Sequence, residues 1–434
     1  MNSDIRILPI GDCLLKVIDN RGKTPPLSDL ETPYGLIEVN ALVGANKHPD
    51  SKAFKKYVNL ETYNSWFRSG HPADGDILFS TVGSIAEVAI VQGGEGCIAQ
   101  NLIALRPNPE VVNSDYLYYC LINPVTQAKL RTLDISSVQP SIKVPHLLAT
   151  EISILSPSIQ EEVVKILNAL DSQISLLSEM NGTLESIAKA IFKSWFVDFD
   201  PVDAKVEGLV PEGMDEVTAA LFPNGFETSD IGVLPSGWRI GKLSDLADLN
   251  PESWTDKRHP ESVAYVDLAN VKDNQIAAVT GYSFYDAPSR ARRVLRSGDT
   301  IVGTVRPGNR SFAFIDQPQV NLTASTGFAV LRPLEKVNAE FVFLSATSES
   351  SIEHLAHIAD GGAYPAVRPD EVIGLSCVLP CDEILLLFHQ IARPLLSKVS
   401  ENQKMIKTLS NCRDTLLPRL ISGQLQIPEA EALA

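Results

Sequence analysis

Between residues 158 and 197 the apolar residues follow a heptad frame for nearly five repeats. Leu167, Ile174, Asn181, Ala188 and Trp195 take one core position, and Val163, Leu170, Leu177, Leu184 and Ile191 take the other. Nine of these ten are apolar, the pattern of a helix that pairs with another along its length. The helix is expected to open at Ser158, with Gln160, Glu161 and Glu162 in its first turn. Forty residues in this form span about 60 Å. Residues 382–421 carry a looser version. Phe388, Leu395, Asn402, Leu409 and Leu416 share one frame position, Ile391, Met405 and Cys412 the other, and Lys398 breaks it. Pro394 is expected to kink or restart that helix, and Gly423 suits its stop. Elsewhere the pattern changes. Short apolar runs at 77–79, 88–91, 102–105 and 301–305, broken by Gly, Pro, Asn and Asp, predict strands. Stretches 114–122 and 339–345 predict short helices among them. The expected class is α+β.

The chain also repeats itself. Gly75-Asp76-Ile77-Leu78-Phe79 returns as Gly298-Asp299-Thr300-Ile301-Val302, and Leu105-Arg106-Pro107 as Leu331-Arg332-Pro333. Gln139-Pro140-Ser141-Ile142-Lys143 returns as Tyr364-Pro365-Ala366-Val367-Arg368, and Pro157 as Pro380. Each match is weak alone, but all keep one order and nearly one offset, which is too long for a solenoid. They predict two copies of one module, a globular block followed by a long helix. The blocks are 1–157 and 238–380, and the helices are 158–200 and 381–423. An acidic, Pro- and Gly-rich linker at 201–237, with one short helix at 215–221, joins the copies, and 424–434 is a tail. Two amphipathic helices could each cover their own block. Pairing with each other is the alternative that Asn181 and Asn402 favour, because both stand at core positions near the middle of their helices. In an antiparallel pair the two middles coincide, and a buried Asn that finds a partner fixes register.

Composition narrows the function. With 44% hydrophobic and 21% charged residues the chain is neither disordered nor fibrous. Its longest run of aliphatic and phenylalanine residues, 384–388, is far too short to span a bilayer, so no membrane role is expected. The N-terminus lacks the basic start and apolar stretch of a secretion signal, and six cysteines are too sparse for a disulfide framework. A cytoplasmic setting is expected. The net charge of −16 argues against a simple duplex binder. Ten of those surplus negatives, however, lie in residues 158–237, which leaves both blocks nearly balanced.

No catalytic or metal-binding motif is evident. There is no phosphate-binding Gly-x-x-x-x-Gly-Lys loop and no Gly-x-Ser-x-Gly elbow. The Gly93–96 cluster, Asn123-Pro124 and Asn250-Pro251 are expected to be turns. Cys377 and Cys381 lack the second pair that a zinc site needs, and read as packed thiols. His354 and His357 fall on one helix without a metal-ligand partner. A binding or assembly subunit is expected rather than an enzyme. The candidate binding residues are basic clusters with amides and aromatics nearby: Arg21 with Lys23; Lys47, Lys52, Lys55 and Lys56; Arg290, Arg292, Arg293 and Arg296; and Arg306 and Arg310 with Asn309. Tyr57, Tyr63, Trp66, Tyr282 and Tyr285 stand close to them. Such mixtures suit phosphate contact and base-edge reading.

Residues Ala190-Ile191-Phe192-Lys193-Ser194-Trp195-Phe196-Val197-Asp198-Phe199-Asp200-Pro201 closely resemble the central region of type I restriction–modification specificity subunits. Leu234-Pro235-Ser236-Gly237-Trp238 resembles the entry to that family's second half. Arg413-Asp414-Thr415-Leu416-Leu417-Pro418-Arg419-Leu420-Ile421-Ser422-Gly423 resembles its C-terminal region. The Arg21-Gly22-Lys23-Thr24-Pro25-Pro26 loop and residues 363–369 fit as well. Leu8-Pro9 departs from the pattern, lacking the Trp that follows at Trp238.

The resemblance implies two target recognition domains in a pseudo-twofold repeat, separated by an antiparallel coiled coil. Each domain would read one half of a split double-stranded DNA site, with Arg21, Lys23, Lys47, Lys52, Arg290, Arg292, Arg306, Asn309, Arg310 and Tyr364 the expected DNA-contacting residues. Leu170, Leu177, Asn181, Leu184, Asn402 and Leu409 would pair the helices. Two modification subunits would bring S-adenosylmethionine and the methyl-transfer chemistry. Restriction subunits would add ATP, Mg2+ and nuclease action, and this chain would hold no cofactor or metal itself. A scaffold that binds proteins but not DNA remains the alternative. The DNA-reading part of a single-chain methyltransferase–nuclease is another, and it would need a methyltransferase domain in addition to residues 1–434.

Overall fold

The structure is a computed structural model. It describes residues 5–425 apart from 45–46, 94–95, 135–138, 230–231 and 363, so the centre of the Gly93–96 cluster and nearly all of the tail lie outside the described residues. The chain divides into two units. One takes residues up to 177 together with those from 405 onward, and the other takes residues 178–404.

In the first unit, Leu14–Ile18, Leu102–Pro107, Ile77–Ser80 and Val88–Ile90 form an antiparallel sheet in that order. Side chains alternate across it. Ile77, Phe79, Ile103 and Leu105 face a core shared with Tyr116 and Leu117 of the helix Ser114–Ile122 and with both long helices. Leu78 and Ala104 face the opposite way, toward Ile37 and Ile98. Burial of both faces explains why these strands read as unbroken apolar runs. In the second unit, Ala247–Leu249, Phe328–Pro333, Thr300–Gly303 and Phe312–Phe314 repeat the same order. Val302, Ala329 and Leu331 face Phe341 and Phe388, while Ile301, Ala313 and Val330 face a second layer. That layer is a sheet ordered Thr280–Ser283, Ser262–Val266, Leu322–Ser325, Ala291–Val294. Its counterpart in the first unit is the short parallel pair Leu36–Ile37 and Cys97–Ile98.

The repeated motifs meet in space. Arg106 grips the buried Asp76 with Nε to Oδ1 at 2.9 Å and Nη2 to Oδ2 at 2.7 Å. Arg332 grips the buried Asp299 in the same two-pronged way, at 2.9 Å for each contact. The preceding Gly75 and Gly298 have φ of +82° and +89°, which a side chain would resist. The Gly-Asp and Leu-Arg-Pro motifs are therefore the two halves of one ion pair, present once per unit.

The long helices are Pro157–Phe196 and Asp382–Ile421. In the second unit Asn402 Nδ2 donates to Asn181 Oδ1 at 2.9 Å, and Phe192 lies against Phe388 at 6.1 Å, so the paired segments run antiparallel. Both Asn side chains are buried. In the first unit Arg413 Nη1 meets Asp171 Oδ1 at 2.8 Å. Leu170, Leu177 and Asn181 are buried, and Leu184 and Leu409 half-buried.

Four expectations are corrected. The second helix runs on through Pro394 without a restart, because Ala392 and Leu396 are buried on either side and hold that turn in the core. Its buried stripe runs Phe388, Ala392, Leu396, Val399 and Asn402, whereas Met405, placed at a core frame position, is 52% exposed. Residues 201–237 are not a bare linker. They form helices Asp200–Val206 and Glu216–Leu221 and the hairpin Phe226–Ser229 with Gly232–Pro235, and they bury Val202 and Phe222. Cys377 is half-buried as a packed thiol would be, but Cys381 is exposed. Among the described residues, no helix is long and apolar enough to cross a membrane.

Arg332→Ala leaves the buried Asp299 without its ionic partner and with only the Arg296 N–H, so it should cost about 3–5 kcal/mol in urea unfolding. Removing the exposed Lys398–Glu401 pair by Lys398→Ala should cost about 0.5 kcal/mol or less. Similar losses from both would contradict the organising role of the buried pair.

Candidate nucleic-acid interface

A threonine, Thr81 or Thr304, directly follows the strand Ile77–Ser80 or Thr300–Gly303 of each main sheet, and the chain there follows the same course in both units. Thr81 N–H donates to the Asn101 carbonyl, Ile142 N–H to the Thr81 carbonyl, and Gly83 N–H to the Pro140 carbonyl. Thr304 N–H likewise donates to Gly327, Val367 N–H to Thr304, and Arg306 N–H to Pro365. The repeated Gln139–Lys143 and Tyr364–Arg368 segments are thereby laid beside the ends of these strands. The frame is shared, but the side chains it displays are not.

In the first unit Arg21 is held by Asp19, with Nε to Oδ1 at 2.9 Å and Nη2 to Oδ2 at 2.7 Å, and its Nη1 reaches Thr81 Oγ1 at 3.1 Å. The Arg21 guanidinium keeps the Asp19 carboxyl below its ordinary range. Lys23 is exposed on the same loop. Gln100, at φ +55°, donates to Thr24 Oγ1 at 2.5 Å. A shallow cavity of about 420 Å³ opens beside them, lined by Val39, Asn40, Val82, Gly83, Ser84 and Asn101 among others.

In the second unit Arg306 and Arg310 flank the turn Pro307–Asn309, both in the left-handed region at φ +48° and +60°. The Arg306 guanidinium lies 4.8 Å from the ring centre of Tyr364, which is 71% exposed. Asn309 is exposed at the turn. Arg290 reaches Asp267 at 2.8 Å and Tyr265 Oη at 3.0 Å, and its carbonyl accepts from Thr326 N–H near the same strand end.

Other expected residues stand elsewhere or are already engaged. Lys47 is not a DNA-facing cation. Its side chain is only 12% exposed and its Nζ lies 2.5 Å from Asp115 Oδ1. Arg310 is tied to two carboxylates, Asp273 at 2.5 Å and Glu349 at 2.6 Å, where Arg21 and Arg290 each meet one. Arg292 stacks on Phe284 at 4.7 Å, in a cluster with His259 and Tyr285. Lys52 is exposed on a short turn capped by Asp50. Of the partners that shape the site, Thr81 lies in the internal repeat, where it matches Thr304, while Asp19, Gln100 and Asn101 carry no sequence pattern beyond the Asp19-Asn20-Arg21 spacing. Asn123 caps the helix Pro124–Arg131, and Asn250 accepts from Val330 N–H at 3.0 Å, so both Asn-Pro pairs have structural roles. His354 and His357 are exposed on the helix Glu349–Ile358. Among the described residues no cluster of His, Cys, Asp and Glu could hold a metal ion.

Residues 17–186 match the family model of the type I restriction modification DNA specificity domain. The specificity subunit of the type I restriction enzyme HindI from Haemophilus influenzae is 23% identical over 76% of this chain and 81% of its own length. That of MjaIX from Methanocaldococcus jannaschii is 25% identical over 82% and 78%. Residues 17–186 thus match that specificity domain, and over most of its length the chain is similar to type I restriction enzyme specificity subunits. Its fold is that of the specificity subunit from M. genitalium, whose crystal structure aligns at a TM-score of 0.57 over 97% of both chains with 14% identity.

At the other end of the strand from Thr304, where Arg332 also grips Asp299, Glu252 receives Arg296 at 2.8 Å and Arg332 at 3.3 Å. The Arg296 guanidinium, with Arg332 behind it, holds the Glu252 carboxyl below the usual carboxylate range. Its stabilising contribution is therefore complete above the unfolded value of about 4.3 and disappears as the pH falls through the lower folded value. The stability gap between wild type and Glu252→Gln should be constant from pH 7 to 5 and should close on further acidification. A gap that widens in acid would contradict this assignment.

Proposed function

We propose that this chain supplies DNA sequence recognition to a type I complex, with each unit reading one half of a two-part double-stranded site. The observation that carries this reading is the duplicated frame with unlike display. In one unit the main-chain hydrogen bonds of Thr81, Gly83 and Ile142 set the strand end beside which Gln139 stands, and there Arg21 reaches Thr81 Oγ1 while Gln100 reaches Thr24. In the other the equivalent bonds of Thr304, Arg306 and Val367 set the strand end, with Arg306 against Tyr364 and the Arg290 carbonyl accepting from Thr326 N–H. A fixed frame with interchangeable side chains is what two readers of different half-sites need. Arginine and amide side chains are the groups that pair with guanine and adenine edges in the major groove, and lysines such as Lys23 and Lys52 suit phosphates.

In this reading the long helices space the two readers and dock two modification subunits. Those partners carry S-adenosylmethionine and the methyl-transfer chemistry. Restriction subunits, where present, bring ATP, Mg2+ and cleavage. The chain itself is non-catalytic and acts in the cytoplasm. Its net charge of −16 is compatible with DNA binding because the partners can supply basic surface around the duplex.

The test is duplex binding by the assembled complex across several salt concentrations. Arg306→Ala should weaken binding by about 1–3 kcal/mol and relax one position of one half-site, as loss of a base-reading arginine does. Lys23→Ala should weaken all sequences alike and lower the salt slope by about one. An assembled complex that binds no duplex at any salt concentration would favour a protein-only scaffold instead.

A further inference from the structure

We propose that Lys47 and Asn274 are positioning residues, one per unit, that set the angle at which each sequence-reading sheet is held on the helix pair. The proposal rests on the DNA-reading role argued above and adds to it the part that aims each reader.

Both residues hang from the same place. Val88–Ile90 and Phe312–Phe314 are the edge strands of the two main sheets. The Lys47 carbonyl accepts from Ile90 N–H at 2.8 Å. Asn274 N–H donates to the Phe312 carbonyl at 2.9 Å, and Phe314 N–H donates to Asn274 Oδ1 at 2.8 Å. From these edges both side chains reach the long helices.

Lys47 Nζ lies 2.5 Å from Asp115 Oδ1 and 2.5 Å from Asn168 Oδ1, and 5.4 Å from the ring centre of Tyr119. Tyr119 Oη donates on to Asp171 at 2.6 Å, which also receives Arg413 at 2.8 Å. One polar chain thus joins the edge loop, the helix Ser114–Ile122 and both long helices. In the second unit Asn274 Nδ2 donates to Glu185 Oε1 at 2.7 Å, and its carbonyl accepts from Gln403 Nε2 at 2.8 Å. Glu185 and Gln403 stand next to the Asn181–Asn402 pair along their helices. Asn274 is buried, at φ +62°, a conformation that asparagine tolerates better than most residues.

Apolar contact between a sheet and a helix is non-directional and allows small rotations. A buried polar group with one satisfied arrangement penalises every arrangement that leaves it unpaired. The two units meet this need with different chemistry, an ion pair in one and a neutral amide in the other. That difference conceals the equivalence in the sequence.

The experiment uses the full chain assembled with its modification subunits and a library of sites whose spacer is one base pair longer or shorter than normal. Asn274→Gly keeps the backbone conformation and removes the amide; Lys47→Met keeps the stem and removes the charge. Each should raise methylation of wrong-spacer sites about fivefold relative to correct ones, the factor expected from one hydrogen bond, with the bases read in both half-sites unchanged. Unchanged spacer preference at full activity would overturn the proposal. Hydrogen exchange on the full-length variant separates positioning from folding. In Asn274→Gly, faster exchange should be confined to 271–276 and Phe314 N–H, and loss of protection throughout the sheets would overturn it. Wild-type complex that methylates no two-part site would instead sink the DNA-reading role, and the proposal with it.

Discussion

One buried carboxylate gripped by an arginine from the neighbouring strand organises each unit. Asp76 and Asp299 are nearly inaccessible to water, and burying a charge without a partner is prohibitive. Each is answered by two guanidinium contacts and one main-chain N–H, from Ala73 and Arg296 respectively. The geometry therefore fixes several things together: the turn at the preceding glycine, the start of the central strand and its register on the next. Ile77 lies opposite Leu105 and Thr300 opposite Leu331, the same alignment in both. With the strand start set, its far end is set too, and the loops gathered at Thr81 and Thr304 inherit their positions.

This separates what must stay constant from what is free to change. The ion pair, the strand order and the strand-end hydrogen bonds recur in both units. The side chains that frame presents do not, and neither does the second layer, a short parallel pair in one unit and a four-stranded sheet in the other. Specificity proteins need that division, because the target can change only if the scaffold survives the substitution. The polar contacts to the long helices follow the same logic. Asn181 with Asn402 selects register at a cost in stability, and the struts at Lys47 and Asn274 hold the sheets to those helices.

The helices and main strands were legible because their causes are local and periodic. A heptad pattern marks the first long helix nearly to its ends, and both-sided burial marks the strands. The repeat was visible as motifs, but its meaning was not, since an Asp and an Arg far apart in sequence do not announce that they touch. Met405 was misplaced because a strict heptad drifts against a 3.6-residue turn, so beside the expected Asn402 the buried stripe takes Val399 and leaves Met405 exposed. Residues 201–237 looked like a linker by composition, yet Phe222 and Val202 anchor them in the core of the second unit. Lys47 and Arg310 show the limit of charge as a guide to DNA contact. A cation in a cluster reads the same whether it faces solvent or an aspartate.

The central claim is that the two units read independently on a common frame. Replacing residues 1–150 with the matching block of a relative, then sequencing the methylated adenines in a host carrying the modification subunit, tests it most directly. The account predicts that one half of the methylated site changes while the other half remains as in wild type. A change in both halves would contradict it.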